Sequence, residues 1–140
     1  MAKPTLSPSG RKVLAKALAV MRRYPETVEM DWFMGHAPHR GPHKRPKPYC
    51  NTTACLAGHI VLAAYGVQGR RHAGIADLVA LRLLGIPDDD DVRRRLFYDY
   101  NWPEPFRGEY AAAGARSRPH HRRMAAAVIA RVRHWLRTGE

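Results

Sequence analysis

The prolines at Pro38, Pro42, Pro46 and Pro48 constrain this chain more than any other feature. Each fixes φ and removes a backbone donor, so neither a helix interior nor a central strand can run through the segment. The surrounding stretch, HAPHRGPHKRPKPYCNTTACLAGH at residues 36–59, also holds four of the eight histidines and both cysteines. Its character changes at Thr52. Thr52 or Thr53 reads as an N-cap, and the apolar run to Tyr65, stopped by Gly66, predicts a helix from about Thr53 to Tyr65. A stiff basic loop at residues 35–49 therefore leads into a helix N-terminus.

On either side of that loop the apolar spacing is helical. Residues 1–8, with Pro4, Ser7 and Pro8, read as a flexible arm. Val13, Leu14, Ala17, Leu18 and Met21 predict a helix from about Ser9 to Arg23, ended by Pro25. Val28, Met30, Trp32 and Phe33 alternate with Glu29 and Asp31. That pattern fits a short extended segment or one turn carrying aromatic weight into the core. The turn is preferred, because no partner strand is visible. A third helix is expected from about Gly74 to Leu84, with Ile75, Leu78, Val79 and Leu83 inward, closed by Gly85 and Pro87. The acids Asp88 to Asp91 suit the start of a fourth helix running through Leu96 and Phe97, where they complement the helix dipole. Tyr98 to Phe106 reads as an ordered aromatic loop. A last helix begins near Pro119 and places Met124, Val128, Val132 and Trp135 on one face. The sum is an all-α fold: one domain over residues 1–140, of about five helices and a long basic loop, with no internal repeat.

A chain of 140 residues buries about 70% of its unfolded surface without staples. Charge is the unusual quantity: 24 Lys and Arg against 12 acids give +12. Arginine predominates, and its planar fork matches phosphate and carboxylate oxygens. Such an excess repels itself and points to a polyanionic partner, although Arg- and Ala-rich coding bias produces the same composition with no ligand. The longest apolar run is far below the roughly 20 residues a membrane helix needs, and the first residues contain no apolar signal region. Two cysteines do not make a disulfide scaffold, so a cytoplasmic setting with reduced thiols is expected.

Residues Cys50-Asn51-Thr52-Thr53-Ala54-Cys55-Leu56-Ala57-Gly58-His59 carry a resemblance, supported more loosely by Leu84-Gly85-Ile86, Leu96-Phe97 and Trp102-Pro103. The run resembles the pattern C-G-T-x-x-C-[IL]-A-G-[WH] of small, mostly uncharacterised phage and bacterial proteins. The resemblance implies a small helical phage-type fold, in the host cytoplasm if phage-encoded, and no particular reaction. Asn51 replaces the usual glycine, a mild departure because Asn tolerates positive φ. The basic loop is not part of that pattern.

Four chemistries compete for the segment. Zinc could be held by Cys50, Cys55, His59 and His43, with His36 and His39 in reserve; Cys55 and His59 are an i, i+4 pair, but no standard ligand spacing is met. A Cys/His hydrolase would use Cys50 or Cys55 with His59, yet no paired glycines for an oxyanion hole accompany them, so an enzyme is the weaker reading. The motif also has a purely structural account, a capped helix start with a buried thiol and a core histidine. Anion binding explains the loop best. His39, Arg40, His43, Lys44, Arg45 and Lys47 project from a proline-stiffened segment, Tyr49, Tyr98 and Trp102 are candidate stacking surfaces, and Arg70, Arg71, Arg122 and Arg123 add basic clusters. The leading expectation is a non-enzymatic phage-type accessory protein that binds nucleic acid or a nucleotide. The alternatives are an inhibitor or adaptor docking on an acidic host protein, and a zinc-binding or Cys/His hydrolytic protein.

Overall fold

Ser7 decides where the first helix begins. Its hydroxyl accepts a hydrogen bond from the Gly10 N–H at 3.0 Å, and Pro8 occupies the first turn, where a missing donor costs nothing. The computed structural model describes residues 2–36, 52–115 and 118–140. In it α1 spans Pro8–Arg23 and buries Gly10, Leu14, Ala17 and Met21. Gly10 is required by a close crossing, since a Cβ there would lie 2.5 Å from Leu84 O. The expected arm at residues 1–8 is too long at its inner end: Leu6 is buried in the core, and the Ser7 N–H donates to Leu84 O at 3.1 Å.

After a 3-10 turn at Pro25–Thr27 the chain bridges at Val28, turns at Met30 and Asp31, and enters a strand at Met34, so the preferred turn is present, although it leaves Trp32 exposed and does not carry that ring into the core. Val28 bridges Ala54 in parallel, and the Glu29 N–H donates to Ala54 O at 3.0 Å. Strand β1, Met34–His36, then pairs antiparallel with β2, Thr52–Ala54, in the register Met34↔Ala54, Gly35↔Thr53, His36↔Thr52. The period-two alternation does not persist: Val28 and Met30 are buried, whereas Trp32, in phase with them, is 66% exposed beyond the turn. The second helix starts later than expected. The β-branched pair Thr52-Thr53 serves the ribbon, and α2, Leu56–Tyr65, is capped by Cys55.

Helix α2 is the centre of the fold, with every residue from Leu56 to Ala63 buried. A helix apolar all round belongs inside. Gly58 lets the β1 approach pass over it; a Cβ there would overlap Phe33 O. A 3-10 stretch, Gly66–Ile75, leads to α3, Ala76–Leu84, closed by Gly85 at φ +76°. Ile75, expected inward, is 50% exposed because the 3-10 stretch ends there. Helix α4, Asp90–Phe97, opens as the acidic run predicts: Asp89 Oδ1 accepts from the Asp91 and Val92 N–H groups at 2.8 and 3.3 Å. Trp102 is buried and donates from Nε1 to Leu96 O at 3.0 Å.

Helix α5, Phe106–Gly114, follows the expected aromatic loop, in residues for which the sequence predicts no element. It packs on α6, His121–Thr138, and sets Tyr110 edge-on to Trp102 with ring centroids 5.7 Å apart. Met124, Val128, Val132 and Trp135 are buried as their spacing predicts. The fold is all-α, six α-helices among the described residues with one two-stranded ribbon around a continuous core. No described helix is long and apolar enough to cross a membrane.

Candidate functional site

Cys55 and His59, the described members of the Cys/His set, are built into the core. The Cys55 Sγ accepts from the Gly58 N–H at 3.4 Å and lies 3.9 Å from Phe33 O, toward which its S–H points. Burial pushes the thiol up to about 12, outweighing the opposing helix-terminal amides of Gly58 and Ala57. It is therefore a protonated cap, not a thiolate. His59 is wholly buried, with Nε2 3.2 Å from Thr27 O and 3.4 Å from Thr27 Oγ1. The Thr27 hydroxyl itself donates to Tyr24 O at 2.7 Å, so both groups facing Nε2 are acceptors and Nε2 carries the proton. Desolvation drives the imidazole down to about 3, keeping it neutral. A ring nitrogen that donates to a carbonyl is neither a base nor a metal ligand at that atom. Cys50 and His43 lie outside the described residues, and among those described no group of three metal-capable side chains assembles.

Of the expected anion contacts, His39, Arg40, His43, Lys44, Arg45, Lys47 and Tyr49 also lie outside the described residues. Arg70 and Arg71 are exposed on the 3-10 stretch that packs on α2 and α3. Arg122 and Arg123 are exposed in the first turn of α6, which packs on α5 and α1. The two pairs stand on different elements. Instead, Arg122 joins two arginines that sequence reading passed over. Arg22 at the end of α1, Arg122 and Arg133 wall a groove of about 230 Å³, with Pro25, Ala125, Ala126, Ile129 and Ala130 making up the rest of the lining. Arg123 lines an adjoining hollow of about 410 Å³ that shares Ala126 and Ala130 and carries one acid, Glu109.

Three features make this face basic. No carboxylate lines the groove. Arg22, Arg122, Arg123 and Arg133 form no ion pair among the described residues, whereas Arg93 binds Asp77, Asp88 and Asp90, and Arg107 binds Glu104. The first turn of α6 has no acid and carries Arg122 and Arg123 at the positive end of the helix dipole, where anions are favoured. A signal for this face was present in the sequence: Arg122, Ala126, Ile129 and Arg133 follow helical spacing, with Ala125 and Ala130 beside them.

The two described stacking candidates, Tyr98 and Trp102, do not line this groove. Trp102 is only 2% exposed, and half-buried Tyr98 donates its hydroxyl to Asp77 Oδ2 at 3.0 Å. No family model matches the chain, and neither does any curated protein or solved structure.

Proposed function

We propose that this chain binds a phosphate-bearing ligand, a nucleic-acid strand or a nucleotide, through its arginine face, and does no chemistry on it. The observation that carries this reading is the groove walled by Arg22, Arg122 and Arg133 with no carboxylate in its lining. Alanines at its floor let a backbone approach closely, and guanidinium forks bind phosphate oxygens in pairs. The net charge of +12 adds long-range attraction for any such strand. A protonated Cys55 and a neutral, donating His59 support binding over catalysis. The basic segment at residues 39–47 belongs to the same reading as a second contact. So does the cytoplasmic accessory role that the phage-type resemblance implies.

The test is a titration of the full chain with a labelled single-stranded oligonucleotide at low salt, competed by ATP and by polyglutamate. Affinity for the oligonucleotide above that for polyglutamate is expected, because the fork geometry favours phosphate. Competition by ATP at comparable phosphate concentration assigns a nucleotide ligand; its absence assigns a strand. No binding at low salt, or stronger binding to polyglutamate, overturns the phosphate reading. The second of these results points to an acidic protein partner.

A further inference from the structure

We infer that a second site, of opposite charge, lies in the cleft between residues 30–34 and residues 97–100, and that it receives an arginine side chain from a basic polypeptide partner. The cleft encloses about 460 Å³ and is lined by Trp32, Phe33, Tyr98 and Tyr100 together with Asp31 and Asp99. Trp32 and Tyr100 are 66% and 65% exposed, the two most exposed large hydrophobic side chains of the described residues. The rings form a continuous wall: Phe33 to Tyr98 centroids are 6.1 Å apart at 63°, and Tyr98 to Tyr100 are 5.7 Å apart at 52°. Among the described residues no Lys, Arg or His lines this cleft, in a chain where cations outnumber acids two to one.

Aromatic faces beside carboxylates present a negative ring quadrupole and full negative charge to one space. That combination selects a flat organic cation, and a guanidinium both stacks on the rings and forks onto a carboxylate. Asp31 and Asp99 form no ion pair among the described residues. Burial, then the charge of Asp31, raises the Asp99 carboxyl. Glu29 stands close by and feels both Asp31 and His121. The carboxylates also decide against other occupants. An exposed tryptophan beside tyrosines would suit a nucleobase or a lipid interface, but the acids repel the phosphates that either brings. The site is independent of the arginine groove and of its ligand.

Tryptophan emission reads this cleft selectively, since Trp102 and Trp135 are buried at 2% and 3% exposure while Trp32 is open. The full chain is titrated with a short Gly/Ser peptide carrying arginines and with the same peptide carrying citrulline, the neutral isostere. A saturable emission change is expected for the arginine peptide. Binding about tenfold weaker is expected for the citrulline peptide and for the Asp31→Asn and Asp99→Asn proteins. Asp31 is exposed, so its variant tests the charge without a folding penalty. The Trp32→Phe protein should lose the signal. Equal affinity for both peptides, no saturable change, or an unaltered signal in Trp32→Phe overturns the inference.

Discussion

A histidine that is neutral because it is buried makes stability depend on pH, with a definite sign. His59 titrates near 6.5 when the chain is unfolded and near 3 when folded. Between those values the unfolded state binds the extra proton, so its contribution is fully present above about 6.5 and is lost as pH falls toward 3. One proton in that window is worth about 1.4 kcal/mol per pH unit, or about 2 kcal/mol between pH 7 and pH 5. Glu29 and Asp99 have raised carboxyls and oppose this trend at the lower end. Chemical denaturation at pH 7 and pH 5 should show the loss in the parent chain and little of it in His59→Gln; equal losses would refute the assignment. Cys55→Ala removes a buried side chain and the α2 cap together, and should cost about 1–2 kcal/mol by thermal melting. The i, i+4 spacing of Cys55 and His59 was plain in the sequence, but not that Phe33 and Thr27 would occupy them, because those contacts span 22 and 32 residues.

Elements with local signals were the readable ones. The aspartates ahead of α4 and the buried stripe of α6 each act within a few residues, whereas the Ser7 cap with Pro8 was local too but was assigned to the flexible arm. The ribbon was not readable: two three-residue strands are marginal alone and exist through pairing across residues 36 and 52. Helix α5 was missed because only Phe106, Tyr110 and Ala113 are buried and Gly108 weakens its propensity. Arg131 joins elements at the other end of the fold. Fully buried on α6, it donates from Nη2 to Arg95 O at 2.9 Å and to Glu140 O at 2.5 Å, while Nε and Nη1 have no partner among the described residues. Burial, and then Arg95, lowers its guanidinium to about 10. Burying this charge costs desolvation that the main-chain oxygens of Arg95 and Glu140 only partly offset. Arg131→Met keeps the volume and should melt at or above the parent temperature. Arg131→Ala leaves a cavity and should lose about 2–4 kcal/mol. A strongly destabilised Arg131→Met would show that the charge itself holds α6 to the end of α4.

Across the whole molecule the charges are sorted, not mixed. Asp88 to Asp91 open α4, with Asp88 and Asp90 engaging Arg93, and Asp31 and Asp99 gather at the aromatic cleft. The α1–α6 groove keeps its arginines without an ion pair among the described residues, so in a chain of +12 the proposed anion and cation sites occupy separate faces. The arginine count was visible in the sequence. The convergence of Arg22 with Arg133 was not, since it depends on how α1 and its 3-10 turn pack on α6. Mutual repulsion within the groove implies that a bound anion stabilises the fold, and an oligonucleotide at a hundred times its dissociation constant should add about 2.7 kcal/mol. The account stands most directly on the salt dependence of oligonucleotide affinity in the parent chain and in a protein carrying Arg22→Ser, Arg122→Ser and Arg133→Ser. All three side chains are surface groups of the groove, so the substitutions leave the core intact. Each phosphate contact on a single strand contributes about 0.7 to the slope of log affinity against log salt. The triple variant should therefore show a slope shallower by about 2; an unchanged slope with unchanged affinity would contradict binding at this groove.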